Sequence, residues 1–139
     1  MNVVVVKVLF DTNILFAAIL KPEGIPRKSI VKAIDFYEAY ACRQNVKELN
    51  RIFATKIPKH LDRLKNFTDS ILPQMKIIPV PEEEIELEKK IRDEDDRLIL
   101  RAAVNAEIDI IISGDKDFLE SGIRDPAILT PGQFVAWNF

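Results

Sequence analysis

Two runs of apolar residues constrain this chain more than any other feature. Residues 3–10 read Val-Val-Val-Val-Lys-Val-Leu-Phe, and residues 108–113 read Ile-Asp-Ile-Ile-Ile-Ser. A strand with one wet face alternates apolar with polar, whereas these runs are almost wholly apolar and rich in β-branched side chains. They predict strands buried on both faces. A sheet covered on both faces requires helices above and below it.

The remaining segments supply the other strands and the covering helices. Residues 37–42 read as a second strand, 75–80 as a short strand whose Pro79 marks a sheet edge, and 127–129 as a last short strand. Between them, helical patterns run over 14–20, 26–34, 45–55, 58–72, 97–106 and 131–137, with a turn or short helix at 115–119. Pro81 and the Glu-rich stretch after it read as a further helix start, with acids at the favourable N-terminal end. Strands alternating with helices predict an α/β fold: a central parallel sheet of about five strands with helices on both faces. The 139 residues form one domain, 1–139, with no internal repeat and no long linker.

In such sheets ligands bind beyond the carboxyl ends of the strands. Asp11 follows the first apolar run and Asp115 follows the second, after Ser113-Gly114. Those strands are expected to be central, and if they are neighbours their carboxylates lie within reach of shared metal ions. Two further acids border the apolar stripes of expected helices. Glu48 flanks the stripe Val46, Leu49, Ile52 and Phe53, and Asp96 shares an edge with Ile99 and Ala103. Carboxylates gathered at one sheet edge repel one another unless protons or a cation neutralise them. Hard divalent cations prefer oxygen ligands, so the pattern points to a metal-dependent acidic site.

Each acid also has a plain structural role open to it. Asp11 can cap a helix, unless Thr12 or Asn13 does so and frees it. Glu48 can pair with Arg51 one turn on. Within Asp93-Glu94-Asp95-Asp96, Asp95 reads as the better cap. Asp117, two residues past Asp115, reads as a weaker ligand or a supporting group. Placed together on one rim, the four main acids favour the chemical reading.

The formal charge of −2 hides an uneven spread. Residues 1–79 carry 13 Lys/Arg against 7 Asp/Glu, and residues 80–139 carry 7 against 15. A basic surface beside an acidic pocket suits an enzyme that binds a polyanion. Arg43, Lys47 and Arg51 recur every four residues on one expected helix, with Lys56 and Lys59 beyond it. The row on the helix can contact the phosphates of a polyanion or simply form a wet face, and all five cations are candidates to hold such a backbone without reading bases. Cys42 is the only cysteine and His60 the only histidine, which excludes an intrachain disulfide and a Cys/His zinc cluster. Cys42 is expected in the core. No apolar run approaches the roughly 20 residues of a membrane helix. Met1 leads into the first run without a basic n-region or cleavage site, so a cytoplasmic protein is expected.

Four segments carry a resemblance to a known family: Val-Leu-Phe-Asp-Thr-Asn (8–13), Val-Lys-Glu-Leu-Asn-Arg-Ile (46–52), Arg-Asp-Glu-Asp-Asp-Arg-Leu-Ile-Leu-Arg-Ala-Ala (92–103) and Ile-Ile-Ser-Gly-Asp-Lys-Asp-Phe-Leu (111–119). In this order they resemble the PIN domain, particularly the PilT N-terminus-like, VapC-type members identified as toxins of toxin–antitoxin pairs. The resemblance implies a three-layer α/β/α sandwich and Mg²⁺- or Mn²⁺-dependent cleavage of RNA. It carries the family's acidic quartet onto Asp11, Glu48, Asp96 and Asp115, with Asp117 as a fifth acid. It carries a supporting hydroxyl onto Thr12 and Ser113, with Asn13 beside them. Asp11 and Asp115 are expected to bind metal directly, Glu48 and Asp96 directly or through water. A cognate antitoxin and a homodimer are implied as partners. The departure is Glu94, where relatives often carry Pro.

Two other classes compete. An aspartate-nucleophile phosphatase also places Asp after its first strand. It wants a second acid two residues on, where Asn13 stands, and a further Asp where Leu119 stands. A non-catalytic RNA-binding or scaffold domain would retain the acids for fold or metal binding alone.

Overall fold

The computed structural model describes residues 4–138. Val3, at the start of the first expected strand, and Phe139 lie outside the described residues. Among the described residues five strands form one sheet: β1 (Lys7–Phe10), β2 (Glu38–Cys42), β3 (Lys76–Ile78), β4 (Ile110–Ile112) and β5 (Ala127–Leu129). All pair in parallel, in the order β3-β2-β1-β4-β5. The two strands formed within the most apolar runs are therefore neighbours, with β1 in the centre, although the first begins only at Lys7 and leaves Val4 and Val5 exposed outside it; the strand followed by Pro79 is an edge.

Seven α-helices among the described residues cover the sheet: α1 (Thr12–Leu20), α2 (Ile25–Phe36), α3 (Arg43–Lys56), α4 (Leu61–Ser70), α5 (Glu94–Asn105), α6 (Lys116–Leu119) and α7 (Pro131–Ala136). Strand geometry sends successive side chains to opposite faces, and the two cores separate accordingly. Val8, Phe10, Ala39, Ala41, Ile110 and Ile112 pack with α1, α2, α3, α4 and α7. Leu9, Tyr40, Cys42 and Ile111 pack on the other face with α5 and α6, through Ile99, Ala102, Ala103 and Phe118. The small Ala102 and Ala103 are fully buried where α5 meets the sheet. This is the three-layer α/β/α sandwich expected.

Lys7, the one charge inside the first apolar run, sits at the amino end of β1. Its Nζ donates to Ala106 O at the end of α5, which satisfies a terminal helix carbonyl. Cys42 is fully buried, and burial pushes its thiol pKa up to about 12, as a core residue requires. Phe134 is fully buried and Trp137 packs against Tyr37 with rings 5.9 Å apart, so the aromatic C-terminal segment closes the core.

Several expected boundaries are corrected. The stretch after Pro81 forms no α-helix. A 3₁₀ segment, Glu86–Lys90, forms instead, because Glu88 is drawn inward to a bidentate pair with Arg101 on α5 (2.8 and 2.9 Å). Arg101 also donates to the carbonyls of Pro81 and Glu82, so these residues are held to α5 and not to their own helix. The helix expected over 58–72 is α4 flanked by 3₁₀ turns at Pro58–His60 and Leu72–Gln74. The helix expected from Asn45 begins at Arg43, because β2 runs into α3 without a loop. Among the described residues no helix is long and apolar enough to cross a membrane.

Candidate metal centre

Parallel register builds the site. Phe10 pairs with Ile112, and the Asp11 N–H continues the ladder to Ile112 O at 3.0 Å. That step brings the residues after both strands to the same point on the rim. Asp11 is buried, at 3% exposure. Its Oδ2 accepts from Ser113 Oγ at 2.8 Å and its Oδ1 from the Thr12 N–H at 2.6 Å. Asp11 is thus itself the N-cap of α1, the structural role open to it in the sequence, and the alternative caps Thr12 and Asn13 lie inside the helix. Ser113 is fully buried, and it also accepts the Asp115 N–H at 3.0 Å.

Asp115 caps α6, its Oδ1 accepting from the Asp117 N–H at 2.8 Å. Asp93 caps α5, its Oδ1 accepting from Asp95 N–H at 2.8 Å and Asp96 N–H at 3.2 Å. The cap is therefore Asp93 and not Asp95, which is exposed on the cleft wall. A cap position lies just before the helix, and Asp95 is already inside its first turn. Asp96 is in that turn too, but is turned inward and only 5% exposed.

Asp93, Asp96 and Asp115 each bring a carboxylate oxygen within 4.8 Å of the others. Asp96 Oδ2 is buried with no hydrogen-bond partner among the described residues. Burial raises the Asp96 pKa to about 8, helped by the closeness of the Asp115 carboxyl and by the charges of Asp11, Asp115 and Asp93. Asp11 is raised too, chiefly by burial. The hydrogen bonds from Ser113 and Thr12 oppose the rise, and the charges of Asp115 and Asp93 add to it. An orphaned buried oxygen among mutually repelling carboxylates is a site short of positive charge. An all-oxygen donor set of this kind suits Mg²⁺ or Mn²⁺.

The acids open into a cleft of about 340 Å³ walled by the starts of α1, α3 and α5. A PIN domain family model matches residues 7–117. The chain belongs to the PIN domain family.

Solved structures share the fold. A chain in the crystal structure of FitAcB from Neisseria gonorrhoeae aligns over 90% of this chain and 98% of its own, at 21% identity and TM-score 0.64. One in the structure of FitAB bound to an IR36 DNA fragment aligns over 95% and 98%, at 20% identity and TM-score 0.64. One in VapBC2 from Rickettsia felis, bound to a DNA fragment from their promoter, aligns over 84% and 93%, at 16% identity and TM-score 0.63. No curated protein matches the chain.

In this PIN domain the cleft gathers Asp11, Glu48, Asp96 and Asp115, together with Thr12 and Asn13. Ser113 lies beneath, holding Asp11. Glu48 lies on the α3 wall of the cleft. It is half exposed and bound to Arg51 by two hydrogen bonds, Nε–Oε2 at 3.1 Å and Nη2–Oε1 at 2.5 Å. The Arg51 hydrogen bonds hold its carboxyl below the usual range. Asp117 does not line the cleft. It borders a separate groove, 3.7 Å from Arg92. Arg43, Lys47, Arg51, Lys56 and Lys59 are all exposed, the first four on the helix that walls the cleft and Lys59 on the 3₁₀ turn after it.

Sequence reasoning read Asp93 only as part of an acidic cap, yet its carboxylate joins the tightest cluster. Gln44 and Asn45 line the cleft as well, and Asn45 Nδ2 is buried without a partner among the described residues. The signal for Asn45 was its position one turn before Glu48 on the same helix face.

Proposed function

We propose that this PIN domain is a Mg²⁺- or Mn²⁺-dependent endoribonuclease that serves as the toxin of a toxin–antitoxin pair. The observation that carries this reading is the buried, unpartnered Asp96 oxygen set among Asp93 and Asp115 within 4.8 Å. Apolar burial alone would leave such a carboxylate protonated, a poor use of a polar group in a core. Cation binding removes that penalty.

Asp93, Asp96 and Asp115 would hold the ion, with Glu48 and Asp11 facing the same cleft. When bound, the ion supplies a water of lowered pKa and positive charge against the phosphate. Ser113 fixes the Asp11 carboxylate by its hydrogen bond, and the start of α1 favours that negative charge. Arg43 and Lys47 on α3 attract the RNA backbone to the cleft without selecting sequence. The single His60 lies on a 3₁₀ turn outside the cleft, so no histidine of this chain serves as base there. The toxin role, the cognate antitoxin and the homodimer rest on the sequence resemblance to toxin members of the family.

Incubation of the purified protein with mixed-sequence single-stranded RNA tests the reading. Cleavage is expected in Mg²⁺ or Mn²⁺ and not in EDTA, and it should be lost in Asp96→Asn and Asp115→Asn with native circular dichroism. Equal cleavage by both variants would assign the activity to a contaminant. RNA binding without cleavage under any metal would favour a scaffold domain.

A further inference from the structure

We propose that Lys90, Arg92 and Lys116 form a second seat for the RNA backbone, at the opposite border of the acidic cluster from the α3 cations. The inference rests on the ribonuclease reading and adds to it a path for the strand through the site.

These three cations line a groove of about 150 Å³, shared with Asp117, Glu120 and Ser121. The groove adjoins the cluster directly. Arg92 precedes Asp93, Lys116 follows Asp115, and the Asp115 carboxylate accepts the Asp117 N–H. A strand with its phosphate over Asp93, Asp96 and Asp115 would have α3 on one side and this groove on the other.

Charge commitment separates these cations from their neighbours. Arg101 is locked to Glu88, Arg97 donates to Ile91 O, Lys89 pairs with Glu86 and Arg51 with Glu48. Lys90 and Lys116 have no ion pair among the described residues, and Arg92 has one loose contact, 3.7 Å from Asp117, with its side chain 92% exposed. Their backbone is nevertheless held. The Glu88–Arg101 pair and the Arg97–Ile91 hydrogen bond anchor the segment on both sides of Lys90. Two unpaired cations and a third held only by one long contact, beside a cleft suited to a polyanion, are fitted to phosphates, which need positive charge and no base-specific geometry.

The test is salt-dependent binding of a labelled single-stranded 12-nucleotide RNA, by fluorescence anisotropy. The parent is full-length Asp96→Asn, which preserves the RNA probe. Lys90→Ala/Arg92→Ala/Lys116→Ala in that parent should reduce the slope of log affinity against log salt by about 2, as loss of three phosphate contacts to a single strand requires. A control removing equal charge elsewhere, Lys21→Ala/Lys28→Ala/Lys65→Ala, should leave the slope close to the parent's. An unchanged slope in the groove variant overturns the proposal, as does an equal fall in the control. A parent that binds no RNA overturns it together with the ribonuclease reading. A parent that binds RNA while wild type cleaves none removes only the ribonuclease reading.

Discussion

Ser113 Oγ donates to Asp11 Oδ2 at 2.8 Å, across 102 positions of sequence, and ties the ends of the two central strands into one rim. The same oxygen accepts the Asp115 N–H, so a single hydroxyl fixes two acids of the cleft. Ser113→Ala leaves the buried Asp11 oxygen and the Asp115 amide without this partner. A stability loss of about 1–3 kcal/mol is expected, the cost of an unsatisfied buried group. Urea unfolding measures it. Ser113→Thr should recover more than half of the loss if the hydrogen bond is the cause; equal losses in both would assign the effect to packing.

Asp96, with Asp11, makes the metal-free protein lose stability as pH rises, and Asp96 carries that loss furthest up the pH scale. Its folded pKa is about 8 against an ordinary 3.8, so between those values the folded state keeps a proton that the unfolded chain has released. Stability therefore falls as pH rises from about 4 to about 8, and levels off above. One full proton corresponds to at most about 1.4 kcal/mol per pH unit. Asp96→Asn cannot titrate and should flatten this decline in EDTA. Melting curves across that range check it; a wild-type stability that climbs from pH 5 to 8 would contradict the assignment.

The sandwich and most of the acidic rim were legible in the sequence, for a physical reason. A strand buried on both faces must be apolar at consecutive positions, so the runs before Asp11 and before Asp115 announce their central place. Parallel register then fixes which residues meet beyond them. Glu88 was illegible because its burial depends on Arg101, 13 residues away on another element, and nothing local distinguishes it from the exposed acids around it. Asp93 was half legible. The capping preference of Asp is visible in sequence, but a cap uses one carboxylate oxygen, and where the other points is decided by α6 arriving beside α5.

The Glu88–Arg101 pair holds the segment leading into the cleft. Both side chains are buried, and the Arg101 hydrogen bonds keep the Glu88 carboxyl below its usual range. A depressed acid stabilises the fold above the ordinary carboxylate range, near 4.5, and that contribution is lost as pH falls through the lowered value. Glu88→Gln strands the Arg101 charge and should lower the melting temperature more than removal of an exposed pair, such as Lys65→Ala at the Lys65–Asp69 contact. Hydrogen exchange should rise across residues 81–92 and remain unchanged in α2. Equal melting shifts for the two variants would mean that the pair is no clamp.

Asp93 separates capping from cation binding. Asn caps a helix about as well as Asp, whereas it offers a metal one neutral carbonyl oxygen in place of a carboxylate. Asp93→Asn should therefore keep the stability of the metal-free protein close to wild type. It should weaken Mn²⁺ binding about tenfold or more, read by calorimetry or by the stabilisation that a fixed Mn²⁺ concentration confers. Asp93→Ala should lose the same affinity and also about 1 kcal/mol of stability in EDTA, because the amides of Asp95 and Asp96 lose their acceptor. The geometry requires both halves of this pattern, since one Asp93 oxygen faces the helix and the carboxylate as a whole lies within 4.8 Å of its neighbours. Wild-type Mn²⁺ affinity in Asp93→Asn would confine the residue to the helix cap and move the cation toward Asp11 and Glu48.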